Sequence, residues 1–222
     1  MTATSAHLEY VTRLGDNALV LGQRLAEWCG HGPVLEEDLA LTNIALDLIG
    51  QARLLLAHAG ALEGRGRSED DLAFQRDEPD FRNWTLMELP NGVGKHDDYA
   101  ITITRNFLAS ALHRLLWQAL SQSTDPDLAA IAARSVKEAG AHWRHASEWM
   151  VRLGDGTELS HQRMQDALDR LWPYTEEFWS PDPVEQAVAA SGIGVTTASL
   201  RAPWDAAIGE VLARATLARP SA

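Results

Sequence analysis

The side chains best suited to chemistry lie in the segment KEAGAHWRH, residues 137–145. Glu138 and His142 are four residues apart and therefore share one face of a helix, and His145 follows one turn further along. Carboxylate and imidazole groups that face each other across a helical bundle can hold a pair of iron or manganese ions. Asp47, in an earlier segment, could supply another carboxylate. The first hypothesis to test is therefore a di-metal centre.

The number of ligands argues against that hypothesis. The usual centre takes a Glu from each of two helices and a Glu-x-x-His from each of two others, about six ligands in all. No Asp or Glu occurs between Asp98 and Asp125, and position 50, three residues after Asp47, is glycine. The polar candidates in that acid-free segment are Asn106, Ser110, His113 and Gln118. The sequence therefore predicts no working di-iron site and no catalytic or cofactor-binding residue. Asp47, Glu138 and His142 would then be relics of a lost site.

Structural roles account for the same residues. A polar stripe runs along the otherwise apolar segment 35–62, and we favour a hydrogen-bonded polar seam or a contact between subunits as its role. The stripe consists of Glu36, Asn43, Asp47, Gln51 and His58. Between Glu138 and His142 we expect a charge-assisted hydrogen bond inside the core.

Other catalytic patterns are weaker. Dinucleotide-binding, P-loop and nucleophile-elbow motifs are absent from the sequence. Cys29 and His31 are two residues apart at a helix end and need not face each other, so we expect Cys29 to be a small buried hydrophobic residue. His96, Asp97 and Asp98 are expected to cap the helix that follows them.

The elements that would position these groups are helices. Apolar residues recur at steps of three and four in four long segments, which are joined by short, long and short connections. One long crossover between the second and third helices is the connectivity of a ferritin-like four-helix bundle. We therefore predict one all-α, ferritin-like domain over residues 1–222, with the core bundle at about 5–154 and additional C-terminal helices at about 158–219.

Several details of this prediction can be checked. The second helix is apolar on most of its circumference and must therefore have neighbours on most sides. The run at 195–199 is the one hint of a β-strand. The further helices are expected at Glu69–Arg76 in the long connection, at Ser160–Phe178 with a kink at Pro173, from Asp182-Pro183, and at Pro203–Leu217.

Composition narrows the class of protein. The chain has 222 residues, a formal net charge of −12 and a single cysteine, which argue against nucleic-acid binding and an internal disulfide framework. The first residues lack the apolar region of a secretory signal, and we expect no apolar run of the ~20 residues that a transmembrane helix needs. We expect a soluble, cytoplasmic protein. Its eight tryptophans are expected mainly in the core and at subunit interfaces.

Three stretches resemble one known family. They are LGDNALVLGQRLAEWCGHGPVLEEDLALTNIALDLIGQAR (14–53), DDLAFQRDEPDFRNW with the following ELPNG (70–92), and KEAGAHWRHASEWMVRLGDGTE running on to LWPYTEEFW (137–179). Together they resemble the C subunits of the bacterial phenylacetyl-CoA epoxidase family, also called phenylacetate-CoA oxygenase or ring-1,2-phenylacetyl-CoA epoxidase. The resemblance spans most of the chain.

The resemblance implies a role in a multicomponent oxygenase of aerobic phenylacetate degradation. In that family a homologous A subunit holds the di-iron centre and binds the acyl-CoA. A reductase subunit with FAD and an iron–sulfur cluster supplies electrons from NADPH for epoxidation of the aromatic ring with O₂. The C subunit is the structural partner of the A subunit, has lost the metal ligands and supplies no catalytic residue. A hetero-oligomer with the A subunit is implied, with self-association of this chain when it is alone.

Two alternatives remain open. The chain could be a metal-binding ferritin-like oxidase or metal store in its own right, through Asp47, His113, Glu138 and His142. It could also be an acyl-CoA-binding module without chemistry, with phosphates held by basic residues of the long connection, although acidic residues are interleaved with them. These basic residues are Arg65, Arg67, Arg76 and Arg82.

Overall fold

A computed structural model describes residues 3–93 and 96–221, and four long helices dominate it. They are α1 (Ala3–Ala26), α2 (Leu35–Glu63), α5 (Tyr99–Leu120) and α6 (Pro126–Gly154). α1 packs along α2 and α5 packs along α6, and α2 also contacts α6 to join the two pairs. The predicted all-α, four-helix bundle with one long crossover is confirmed.

The crossover between α2 and α5 contains its own short elements. α3 (Glu69–Phe74) lies where the sequence predicts a helix, and it begins with a capping box in which Ser68 and Asp71 satisfy each other's backbone amides. A 3₁₀ turn at Glu78–Asp80 and α4 (Thr85–Glu88) follow. Strands β1 (Gly92–Val93) and β2 (His96–Asp97) then pair antiparallel, with Gly92 opposite Asp97.

The C-terminal part packs onto the bundle as shorter helices. α7 (Glu158–Leu171) contacts α5 and α6, α8 (Pro183–Ala190) contacts α1, and α9 (Arg201–Arg214) contacts α5 and α6. The predicted kinked helix over Ser160–Phe178 is wrong in its second half. The chain becomes a 3₁₀ helix at Trp172–Trp179, with Pro173 in its first turn, because proline lacks the N–H that an α-helix interior needs. The hint of a β-strand at 195–199 does not correspond to a strand, since Thr197–Leu200 form a 3₁₀ helix.

Burial within the bundle is uneven. α5 is buried along nearly its whole length, which explains why a segment without acidic residues is stable there. The predicted tryptophan core is confirmed by Trp28, Trp117, Trp172, Trp179 and Trp204, which are all buried.

α2 departs from the prediction that it has neighbours on most sides. Leu41, Leu48 and Leu55 are buried, whereas Leu39 and Leu46 on the opposite side are 55% and 61% exposed. By length and composition α2 could cross a membrane, contrary to the expectation that no apolar run of such length occurs, and 44% of its most apolar window is buried in the bundle.

Candidate functional site

A row of polar contacts joins α2 to α6, and we call it the α2–α6 seam. The Asp47 carboxylate accepts a hydrogen bond from His142 Nε2 at 2.9 Å, and Glu138 Oε2 accepts one from the Gln51 amide at 2.8 Å. His145 Nε2 donates to Glu37 at 2.8 Å. The hydrogen-bonded seam predicted for the polar stripe of α2 is therefore confirmed for Asp47 and Gln51, whereas Glu37, which was not part of that stripe, supplies the third contact.

One predicted contact of the seam is wrong. His142 pairs with Asp47 across the helix interface, and its hydrogen bond does not go to Glu138 on its own helix. Glu138 instead accepts from Gln51 and lies 3.6 Å from Arg134 Nε one turn away. Spacing of four residues brings two side chains to one face of a helix, but here each of the two bonds to a residue of α2.

The centre of the bundle lies beneath this seam and has neutral polar groups. A cavity of about 10 Å³, no larger than one water molecule, lies there. Both amide atoms of Asn106 are buried without a hydrogen-bond partner among the described residues. The cavity is lined by Leu21, Leu25, Ile44, Leu48, Asn106, Ser110, His113 and His142.

This donor set does not fit two iron ions. Two imidazoles, one amide and one hydroxyl face the cavity, and no lining side chain is a carboxylate. Asp47 and Glu138 lie toward the surface of the seam, where the Asp47 side chain is 42% exposed. Bridging carboxylates from all four helices are what the usual centre requires. Asp47, Glu138 and His142 are brought together as expected, but their carboxylates do not face the position between the four helices.

Burial controls the protonation of the two central histidines. Removal from water, reinforced by the neighbouring His142, lowers the pKa of His113 from 6.5 to about 4. Burial also lowers the pKa of His142, and its hydrogen bond to Asp47 opposes that effect. Both imidazoles are therefore neutral at pH 7.

This burial predicts a loss of stability in mild acid. Between pH 6.5 and 4 the unfolded chain protonates position 113 while the folded chain does not, so the free energy of unfolding falls as the pH is lowered through that window. The lowered pKa of His113 corresponds to a loss of about 3 kcal/mol in the free energy of unfolding across this whole window. Urea unfolding of the wild type and His113→Gln at several pH values measures it. His113→Gln should lose a large part of the dependence of the free energy of unfolding on pH. His31→Gln, at an exposed histidine, should keep that dependence. An equal pH dependence in all three proteins would contradict the assignment to His113.

A small groove and a row of exposed apolar side chains lie near the seam. A groove of about 70 Å³ lies between α2 and α6, lined by Leu46, Asp47, Leu54, Arg134 and Glu138 among others. Gly50 borders it, and a Cβ added there would meet nothing within 4 Å. Leu35, Leu39, Leu46 and Ile49 of the same helix side are exposed. We call these four residues the α2 stripe.

Two fully buried charged residues were not predicted from the sequence. Asp16 of α1 is fully buried, paired with the Arg76 guanidinium of the crossover and accepting from the Arg82 amide. Arg105 of α5 is fully buried as well and donates to the Leu89 carbonyl and the Asn91 side chain. Burial lowers the pKa of Arg105 to about 9. The presence of Arg105 in the segment without acidic residues was the sequence feature that could have pointed to it.

The remaining candidates take structural positions. Cys29 is exposed, so its predicted burial is wrong, and His31 Nδ1 lies 3.2 Å from the Cys29 carbonyl oxygen, a backbone atom. Asp98 caps α5 by accepting from the Ala100 amide, as expected. The side chain of His96 lies outside the described residues.

The basic residues of the crossover do not form one cationic surface. Arg67 pairs with Glu63, Arg76 with buried Asp16, and Arg82 Nε lies 3.6 Å from Glu9. Three of the four residues considered for an acyl-CoA phosphate site are thus neutralised by nearby acids.

Comparison with known proteins decides the family. The family model described as phenylacetic acid catabolic protein matches residues 1–222. The chain belongs to this family. It is also 49% identical over 211 residues to the C subunit of the 1,2-phenylacetyl-CoA epoxidase of Escherichia coli (strain K12), and the match covers 95% of this chain and 83% of that relative.

Family membership confirms the resemblance inferred from the three sequence stretches. It places the chain in phenylacetic acid catabolism, and the ferritin-like helical bundle agrees with that assignment. The relative is named as one subunit of an epoxidase.

Proposed function

We propose that this chain is a non-catalytic structural subunit of a cytoplasmic, multicomponent phenylacetyl-CoA epoxidase. It would bind and support a di-iron A subunit that epoxidises the aromatic ring. Electrons would come from NADPH through a reductase subunit with FAD and an iron–sulfur cluster. The proposal rests on the relative at 49% identity, which is named as the C subunit of such an enzyme.

The α2 stripe is the observation that supports a structural role. Leu35, Leu39 and Leu46 are 72%, 55% and 61% exposed on one side of a single helix. Exposed apolar side chains grouped on one side of a helix in this way mark protein-interaction sites. Obligate interfaces are large and apolar, about 2,000 Å² or more in total, and a helix stripe beside a groove can form the centre of one. We therefore assign the α2 stripe to contact with the A subunit.

The composition of the bundle centre supports the non-catalytic part of the proposal. Reductive activation of O₂ needs a redox-active centre, and the cavity beneath the seam has no carboxylate among its lining residues. The side chains that share a helix face with His142 are engaged in cross-helix hydrogen bonds.

Co-expression with the A subunit tests the proposal. We expect the two chains to co-purify as a stable complex by gel filtration and mass measurement, and this chain alone to self-associate. In metal analysis, we expect iron in the A subunit and in its complex with this chain, in proportion to the amount of A subunit. A monodisperse monomer that ignores the A subunit would overturn the structural role.

Metal analysis of the isolated chain separates this proposal from an oxidase function. Stoichiometric iron or manganese that is lost on Glu138→Ala would show that the chain has its own centre. Titration of the isolated chain with phenylacetyl-CoA tests the acyl-CoA-binding module, and saturable binding would contradict a purely structural role.

A further inference from the structure

A second group of potential metal ligands lies at the opposite end of α2 from the exposed leucines. His7 of α1, His58 of α2 and Asp125, which precedes α6, place one ligand atom each within 4.8 Å of the others. His7 Nε2 is 2.7 Å and His58 Nε2 is 2.6 Å from the same carboxylate oxygen, Asp125 Oδ2. The two rings meet edge to face, with centroids 5.9 Å apart.

The start of α6 fixes the carboxylate in this orientation. Asp125 is the N-cap of α6, and its other oxygen, Oδ1, accepts from the backbone amides of Asp127 and Leu128 at 3.0 and 3.2 Å. Oδ2 is therefore left to face the two imidazoles. The carboxylate is therefore a pre-positioned ligand.

Burial of the cluster distinguishes it from a surface group of charges. The side chains of His7, His58 and Asp125 are 15%, 10% and 6% exposed. Two neutral imidazoles can donate their Nε2 protons to the one oxygen, but they then converge on a single acceptor. A cation in place of those protons would let both nitrogens and the oxygen act as ligands together.

We propose that His7, His58 and Asp125 bind one divalent transition-metal ion, with zinc as the metal that the donor set favours. Two imidazoles and one carboxylate suit tetrahedral zinc with a water as fourth ligand. Ligand atoms around such an ion lie about 3.3 Å apart, so each imidazole nitrogen must move away from Oδ2 by about 0.7 Å, which rotation of the two histidine side chains can supply.

A neighbouring carboxylate completes the arrangement. Asp127 Oδ2 lies 3.9 Å from His58 Nδ1, on the side of the ring away from Asp125. When the metal takes Nε2, the ring proton moves to Nδ1, where Asp127 can accept it. Metal-ligating histidines are commonly oriented by a carboxylate in this way. The ligands themselves come from three elements, so the ion would fasten α1 and α2 to the start of α6.

This site is distinct from the α2–α6 seam. His58 is eleven residues beyond Asp47 on α2, about 16 Å along the helix. The low exposure of the three ligands leaves little room for a substrate beside the ion, so we assign it a structural role. The sequence predicted no metal in this chain, and it placed His58 in the polar stripe of α2.

Zinc titration of the purified, chelator-stripped full chain tests the site. We expect one equivalent of Zn²⁺ to bind, with a dissociation constant below about 1 µM, and to raise Tm by about 5 °C or more at excess metal. Co²⁺ should bind in its place and show the visible absorption of a tetrahedral ion. His7→Gln and His58→Gln should each weaken binding at least tenfold.

Matched variants separate this site from others. Cys29→Ser with His31→Gln removes an exposed thiol and imidazole that could bind zinc adventitiously, and Glu138→Ala alters the seam; both proteins should bind zinc as the wild type does. The apo forms of His7→Gln and His58→Gln should melt cooperatively, which shows that they fold. Absence of binding at 1 mM zinc, or binding unchanged in both histidine variants, would overturn the proposal.

Discussion

Replacing Leu46 by glutamate is expected to weaken binding of the A subunit at least 100-fold, about 2.7 kcal/mol. Leu46 is 61% exposed at the middle of the α2 stripe, so in the proposed complex its side chain would enter an apolar contact. A carboxylate there would be buried without a partner. Glutamate is a good helix former and the position is exposed in the free chain, so the free energy of unfolding should change by less than about 0.5 kcal/mol.

Titration calorimetry of the purified chains measures this loss, and Leu159→Glu is the matched control. Leu159 on α7 is 64% exposed, similar to Leu46, but it lies outside the α2 stripe. We expect the control variant to bind the A subunit as tightly as the wild type. Unchanged binding by Leu46→Glu, with the variant folded, would remove the α2 stripe from the interface and leave the structural role without its assigned surface.

Replacing Asp16 by asparagine is expected to lower the free energy of unfolding by about 3–5 kcal/mol. Asp16 is fully buried, and it is the carboxylate that balances the guanidinium of Arg76, whose side chain is 8% exposed. Its oxygen also accepts from the Arg82 amide at 2.9 Å. The substitution preserves shape but leaves a buried arginine without its counter-charge, which is the costly way to break such a pair.

Urea unfolding followed by circular dichroism measures this change, with an exposed ion pair as control. Arg201 and Glu176 lie 3.2 Å apart with side chains 45% and 49% exposed, so Glu176→Gln should cost less than about 1 kcal/mol. A similar small effect for Asp16→Asn would show that the crossover is not fastened to α1 through this pair. We also expect limited proteolysis to cut the crossover faster in Asp16→Asn, because Arg76 and Arg82 hold that segment against the bundle.

Helix positions and connectivity followed directly from the sequence. Apolar periodicity sets which residues of a segment share a face, and a proline after a capping residue marks where a helix begins, as Asp125-Pro126 does for α6. The absence of acidic residues across α5 was equally local information, and it predicted that the bundle centre would lack the carboxylates of a di-iron site.

Contacts between helices were harder to predict from the sequence. Periodicity gives the face of a residue on its own helix but not the rotation or axial register of the neighbouring helix. Spacing alone therefore paired His142 with Glu138, whereas the register of α2 brings Asp47 to it. The outer side of α2 was expected to have neighbours, and within this chain the α2 stripe has none among the described residues that bury it.

The sequence by itself determined an all-α bundle, its long crossover and the family to which the chain belongs, because these depend on local periodicity and on continuous stretches of residues. The tertiary structure alone decided which charges meet. His7 and Asp125 are 118 positions apart and His58 and Asp125 are 67 apart, and Asp16 reaches Arg76 across 60 positions. Such pairs depend on how helices pack in three dimensions, where side-chain volume sets the register, and no spacing along the chain encodes that register.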